Sequence, residues 1–241
     1  MSRLPRTIGI PVLAAALLLA AAGCRTGGET PGPAAPPALP APPPPKPSPF
    51  RILLDPGHGG EDPGAARNLL PEKHLNLLLA REIRRELVRR GFEVRMTRDG
   101  DFTLSLRQRQ ILADALQPDL LISVHHNAAH STAAHGVECY FRTPSDREAR
   151  KFWGRSRPAA VMIQRGIVAR LPGVADRGVM HARFAVLIPK RPAVLIEAGF
   201  ISNPREELEV HTAERRRRTA VGVADGVEAY IDFIAKGLWL L

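Results

Sequence analysis

The chain has 241 residues, a formal charge of +10, a sequence pI near 10.7 and 44% apolar residues, enough for one sizeable core. The charge attracts polyanions, but aromatic residues make up only 5%, which argues against stacking platforms for single-stranded nucleic acid. Two cysteines, Cys24 and Cys139, lie far apart, which excludes a disulfide framework or a cysteine-rich zinc site.

The amino-terminal stretch reads as a targeting segment. Arg3 and Arg6 precede an apolar run from Ile8 to Ala22, short of the roughly 20 residues a membrane span needs. The run ends in Ala21-Ala22-Gly23-Cys24. This resembles a bacterial lipoprotein signal over residues 1–24, with Cys24 as the lipid-bearing residue, although such signals more often carry Leu where Ala21 stands. An ordinary secretory signal and an uncleaved anchor are the alternatives. Stable anchoring requires more than one acyl chain.

Residues 25–49 are rich in Pro and Ala, including Pro42 to Pro45. Such a segment cannot bury a core and leans toward polyproline II, a linker able to reach ~75 Å at about 3.1 Å per residue.

From Phe50 the composition becomes globular, giving one domain over 50–241. Strand patterns fall at 51–55, 93–97, 120–125, 136–141 and 193–198. Helical patterns fall near 72–90, 105–116, 146–171 and 205–234, the last weakened by Gly222 and Gly226. In the helix after Pro71, Leu75, Leu79, Ile83 and Leu87 recur at steps of four, and Gly91 stands at its end as a cap. The alternation predicts an α/β fold: a mixed, mostly parallel twisted sheet with helices on both faces. The arginine runs, such as Arg215 to Arg218, read as solvated helix faces.

Four chemically capable side chains fall at strand ends or helix starts. His58 follows an apolar strand and sits in Asp55-Pro56-Gly57-His58-Gly59-Gly60, Glu72 opens a helix, and His125 and Glu197 close buried-looking strands. If the strands are parallel neighbours, their carboxyl ends share one edge, where open α/β sheets bind ligands. Two neutral imidazoles and one carboxylate make a three-ligand zinc set with an open fourth position. A further carboxylate off the metal must then take and return a proton. Each residue also has a plainer reading. Glu72 suits a helix dipole, and His125 and His126 suit a strand end. Glu197 is harder to dismiss, because a carboxylate closing an apolar strand asks for a partner.

At these residues the chain resembles the zinc-dependent N-acetylmuramoyl-L-alanine amidases of the AmiC-like catalytic type. The matching pieces are residues 54–65, Glu72-Lys73, Met96-Thr-Arg98, Leu106 with Arg109, Ile122-Ser-Val-His-His-Asn-Ala128, Asp176-Arg-Gly-Val179, Phe184 with Val186-Leu187, and residues 192–203. The resemblance implies Zn2+ bound by His58, Glu72 and His125, Glu197 as catalytic acid/base, and hydrolysis of the muramoyl–L-alanine amide of peptidoglycan. It makes Asn127 a candidate for positioning substrate, although a structural hydrogen bond closing the strand end accounts for it equally well. The expected partners are peptidoglycan and, through Cys24, a membrane on the periplasmic side of the envelope, with no nucleic acid and a monomeric chain. A non-catalytic wall-binding module and a zinc peptidase cutting within the stem peptide are the rival functions. His126 departs from the pattern, because a small residue is expected there; in a strand it points away from His125. Some family members carry an extra helix that blocks the zinc site until a partner removes it. The three dozen or so residues between Phe141 and Asp176 leave no room for one, so an open site is expected.

Overall fold

Eleven elements alternate along the chain in the computed structural model, which describes residues 50–66, 69–142, 147–187 and 190–237. They run β1 (Arg51–Pro56), α1 (Glu72–Arg89), β2 (Glu93–Met96), α2 (Leu106–Leu116), β3 (Leu120–Asn127), β4 (Val137–Phe141), α3 (Arg147–Arg170), β5 (Asp176–His181), β6 (Ala193–Phe200), α4 (Pro204–Val210) and α5 (Ala213–Ala235). The targeting segment, Cys24, the proline-rich linker and the apolar residues 238–241 lie outside the described residues.

The six strands form one sheet in the order β2-β1-β3-β6-β4-β5. Strands β2, β1, β3 and β6 are mutually parallel, β4 runs antiparallel to β6, and β5 runs parallel to β4. The expected mixed, mostly parallel sheet is therefore present. Strand β5 was not expected: Asp176-Arg-Gly-Val-Met-His181 lacks an apolar alternation and lies at the sheet edge, where little of it is buried.

Helices cover both faces unequally. Even-numbered residues of β1, β3 and β6, such as Ile52, Ile122 and Ile196, pack with α1, α3 and α5 in the main core. Odd-numbered residues Leu53, Leu121, Ala193 and Leu195 form a smaller cluster with Ala113 of α2, Tyr140 of β4 and the loop residues Val186 and Leu187. The thinner cover on this second face leaves room for a groove.

Local signals explain the helix ends. Gly91, at φ +92°, lets Phe92 N–H return to the carbonyl of Leu87 and Gly91 N–H to that of Val88, closing α1. Ser105 and Gln108 form a reciprocal capping box on α2. The span expected as one helix over 205–234 is two, because Thr212 caps a new helix by accepting from Arg215 N–H. Helix α5 nevertheless runs unbroken through Gly222 and Gly226. A Cβ on Gly222 would stand 2.6 Å from the Gly166 carbonyl oxygen, so glycine lets α3 and α5 touch through their backbones.

The arginines of α1 and α5 sit on helix faces with acidic neighbours. Arg81 and Arg84 hold Asp99, Arg89 and Arg90 hold Glu86, and Arg217 and Arg218 hold Glu214. Among the described residues no helix is long and apolar enough to cross a membrane.

Candidate metal centre and active-site groove

Strand pleating decides which side chains meet. Asp55, Ser123, His125 and Glu197 occupy odd positions and so face the thinly covered side. Parallel pairing places His125 beside Glu197 in register, and Gly57 N–H bonds the Val124 carbonyl just past β1. The carboxyl ends of β1, β3 and β6 thus share one rim, as the sequence required.

His58 leaves that rim in a left-handed conformation, φ +59°, uncommon for a residue with a side chain. Two buried guanidinium groups hold the loop in this shape. Arg98 donates to the carbonyls of Pro56, Gly57, Lys73 and Gly100 at 2.8–3.0 Å. Arg109 pairs with Asp55 and donates to the carbonyls of Pro56 at 2.9 Å and His58 at 2.8 Å. Asp62 Oδ2 lies 2.8 Å from His58 Nδ1, which directs Nε2 inward.

Glu72, the first residue of α1, is 5% exposed. Its Oε1 lies 2.9 Å from His125 Nδ1 and accepts from Asn76 Nδ2 at 3.0 Å. Its Oε2 lies 3.2 Å from His58 Nε2 and accepts from Ala65 N–H at 3.0 Å. Burial pushes this carboxyl up, but hydrogen bonds from His125 and His58 outweigh burial and hold it well below the usual carboxylate range. Burial lowers His58, and Glu72 and Asp62 together more than restore it, leaving its pKa above 6.5.

One donor atom from each of His58, Glu72 and His125 lies within 4.8 Å of the others. The donor set suits zinc. Ligands about 2.0–2.1 Å from a tetrahedral ion stand about 3.3 Å apart, and Glu72 lies 2.9 and 3.2 Å from the two imidazoles. Two glycines make the cradle. A Cβ on Gly57 would fall 2.1 Å from His125 Cε1, and one on Gly64 would fall 2.6 Å from Glu72 Oε2 and from His58 Cδ2.

Glu197 stands beside this cluster without joining it. Its Oε2 is sealed from solvent and meets no donor among the described residues. Burial, with the nearby Glu72 and Glu138 carboxylates, raises its pKa well above the ordinary value. All four side chains line a groove of about 700 Å³. Its apolar lining comes from the start of α2, with Leu104 and Leu106, and from the loop after β5, with Phe184 and Val186.

Asn127 also lines the groove, with its amide nitrogen 2.6 Å from Glu138 Oε1. His126 points to the other face as expected; it is 3% exposed and lies against Asn76, and burial pushes its pKa down to about 3. Cys139 is a buried core residue. Asp62, Asn76 and Glu138 were not singled out in the sequence. Only Asp62 carried a local signal, a carboxylate four residues beyond His58 in the same glycine-rich loop.

The profile of the N-acetylmuramoyl-L-alanine amidase family matches residues 52–229. The chain belongs to this family. Among curated relatives the amidase is 34% identical over 182 residues to an uncharacterized protein, YqiI, of Bacillus subtilis, covering 75% of this chain and 84% of that protein. It is 35% identical over 180 residues to N-acetylmuramoyl-L-alanine amidase LytC of Bacillus subtilis, covering 74% of this chain but 35% of LytC. Against AmiC of Neisseria meningitidis it is 32% identical over 218 aligned residues, covering 75% of this chain and about half, 52%, of AmiC. Among solved structures, an N-acetylmuramoyl-L-alanine amidase from Clostridium difficile 630 superposes with a TM-score of 0.69 at 33% identity. That match covers 76% of this amidase and 97% of the other chain.

Proposed function

We propose that this chain hydrolyses the amide between the lactyl group of N-acetylmuramic acid and the L-alanine of the stem peptide in peptidoglycan. Zinc is held by His58, Glu72 and His125, and Glu197 carries the proton. The observation that carries the reading is Glu197 Oε2, a carboxylate oxygen sealed in the groove with no donor among the described residues, beside a three-donor cluster.

Zinc bound there would supply Lewis acidity, polarising the scissile carbonyl and bringing the pKa of water toward about 7. The chain's own residues do the rest. Asp62 and Asn76 orient His58 and Glu72 so that their donor atoms converge. Glu197 accepts the proton of the attacking water and returns it to the leaving L-alanine nitrogen. A carboxyl group with a raised pKa suits both halves of that transfer near neutral pH. Asn127 spends one amide hydrogen on Glu138 and offers the other to substrate. The apolar lining of Leu104, Leu106, Phe184 and Val186 gives the methyl groups flanking the scissile bond a surface to rest on.

The same reading places the enzyme in the cell envelope, lipid-anchored at Cys24 and extended from the membrane by residues 25–49. The small residues before Cys24 and the proline-rich stretch after it support that arrangement.

The test is digestion of purified peptidoglycan by the wild type and by Glu197→Gln. The wild type is expected to free L-alanine amino termini and leave the glycan intact. Glu197→Gln is expected to keep zinc and lose roughly 10²–10⁴-fold in rate, the usual weight of a proton-transfer group. New termini inside the stem peptide would instead identify a peptidase. Binding to peptidoglycan without cleavage by zinc-loaded wild type would identify a wall-binding module.

A further inference from the structure

The position after His125 holds an imidazole that the reaction leaves unused. Alternation along β3 turns His126 toward α1, where it is 3% exposed. A buried imidazole without a partner is costly, and here Nδ1 lies 2.9 Å from Asn76 Oδ1. Asn76 sits one helical turn after Glu72 and is fully buried.

The orientation of the Asn76 amide is fixed by its other contacts. Its nitrogen faces two acceptors, Glu72 Oε1 at 3.0 Å and the Gly57 carbonyl at 3.3 Å. Its oxygen must therefore face His126, and His126 must carry its proton on Nδ1. Exchanging the amide's oxygen and nitrogen would set oxygen against oxygen twice. The backbone N–H of His126 also points at Glu72 Oε1, at 3.4 Å. One residue thus approaches the same carboxylate oxygen by two routes, through its main chain and through Asn76.

We infer that His126 is a positioning residue: through Asn76 it locks the Glu72 carboxylate in the orientation that binds the metal. The inference rests on the reading of Glu72 as a metal ligand. It accounts for a histidine at a position where a small residue is expected. A small residue leaves the buried Asn76 oxygen without its donor, so the side chain that donates to Glu72 Oε1 loses the contact that braces it from behind.

The experiment measures zinc affinity of the purified full chain by chelator competition, with the visible spectrum of the cobalt-substituted protein as a report on ligand geometry. Wild type and Glu72→Ala bracket the scale. His126→Ser and Asn76→Ala are each expected to weaken zinc by roughly ten- to a hundredfold, the usual cost of removing a hydrogen-bond partner of a ligand. The double variant is expected to bind no more weakly than Asn76→Ala alone, because His126 acts through that amide. Wild-type affinity in His126→Ser, or losses that add in the double variant, would overturn the inference while leaving the metal site intact. Absence of zinc binding by the wild type, or equal binding by Glu72→Ala, would instead overturn the metal reading beneath it. If His126→Ser does not fold, ring ¹⁵N shifts of the wild type decide: a proton on Nδ1 is expected, and a proton on Nε2 overturns the inference.

Discussion

Glu138 and Glu197 stand directly opposite each other in the antiparallel pairing of β4 with β6, so both carboxylates project from the same face of the sheet. Their surroundings differ sharply. Glu138 is 1% exposed and fully engaged, accepting from Asn127 Nδ2 at 2.6 Å, Tyr140 Oη at 2.8 Å and Arg177 Nε at 2.6 Å. Among the described residues Glu197 Oε2 has no donor, and burial together with the Glu72 and Glu138 charges raises its proton affinity. The carboxylate held by three donors serves as a structural anchor, and the one left without a donor suits the role of proton carrier.

Glu138→Gln follows as a test of that division. The amide keeps an acceptor for Asn127 and Tyr140 but removes one negative charge facing Glu197. Glu197 then ionises more readily, its pKa falls, and the acid limb of kcat/KM moves to lower pH. The pH profile of peptidoglycan cleavage reads this directly. A limb that stays in place or moves upward would show that Glu138 does not tune Glu197.

Protons and metal compete for the same imidazoles. The metal-free site raises His58 above its ordinary 6.5. That proton stabilises the metal-free fold fully below pH 6.5, and the contribution is lost as pH rises through the higher folded value. Zinc requires the neutral ring, so its binding strengthens over the same interval. The zinc-induced rise in Tm is therefore expected to be small near pH 6 and to widen toward pH 8, followed by thermal denaturation with and without chelator. A gap independent of pH would argue against imidazole ligands.

The four central residues were legible because each closes or opens an element. His125 and Glu197 end apolar strands, His58 follows one, and Glu72 begins an amphipathic helix, so their placement at one rim needed only parallel neighbours. Their supports were not legible, since Arg98 and Arg109 reach back about 40 to 50 positions to the carbonyls of the His58 loop, and Glu138 finds Arg177 across a strand pair. Such contacts depend on register and topology, and the antiparallel turn of β4 has no local signature. The break between α4 and α5 was written at Thr212 as a cap, but the helical pattern on either side masked it.

Glycine at position 57 is demanded by the His125 ring. In Gly57→Ala the new methyl would overlap Cε1 and Nε2, at 2.1 and 2.3 Å, and the imidazole has to leave its place. Zinc affinity is expected to fall by at least about tenfold, as for other disturbances of ligand orientation. Gly154→Ala is the control, because among the described residues nothing lies within 4 Å of that Cβ and the site is inside α3. There alanine is expected to stabilise by about 0.5–1 kcal/mol without touching zinc binding. Equal zinc affinity in Gly57→Ala and wild type would mean that His125 is not held where the metal binds.

The connection between β4 and β5 bears on how the enzyme is switched on. It is occupied by α3, whose Ala159, Ala160, Ile163 and Ile167 are buried in the main core on the face away from the groove. The groove lining is drawn instead from the loop after β1, the starts of α1 and α2, the ends of β3 and β6, and the loop after β5. An inhibitory helix in this connection would have to leave the core and cross the sheet to reach Glu72 or His125, abandoning Ile163 and Ile167, both fully buried. Losing two such side chains costs several kcal/mol, about 2–5 each by analogy with large-to-small substitutions. The purified chain, loaded with zinc, is therefore expected to cleave peptidoglycan at a constant rate from the moment of mixing, with no lag. Adding soluble envelope extract should leave the initial rate unchanged after subtraction of the extract's own activity. A zinc-loaded protein that stays silent until a second component is added would show that the groove is closed by something other than α3.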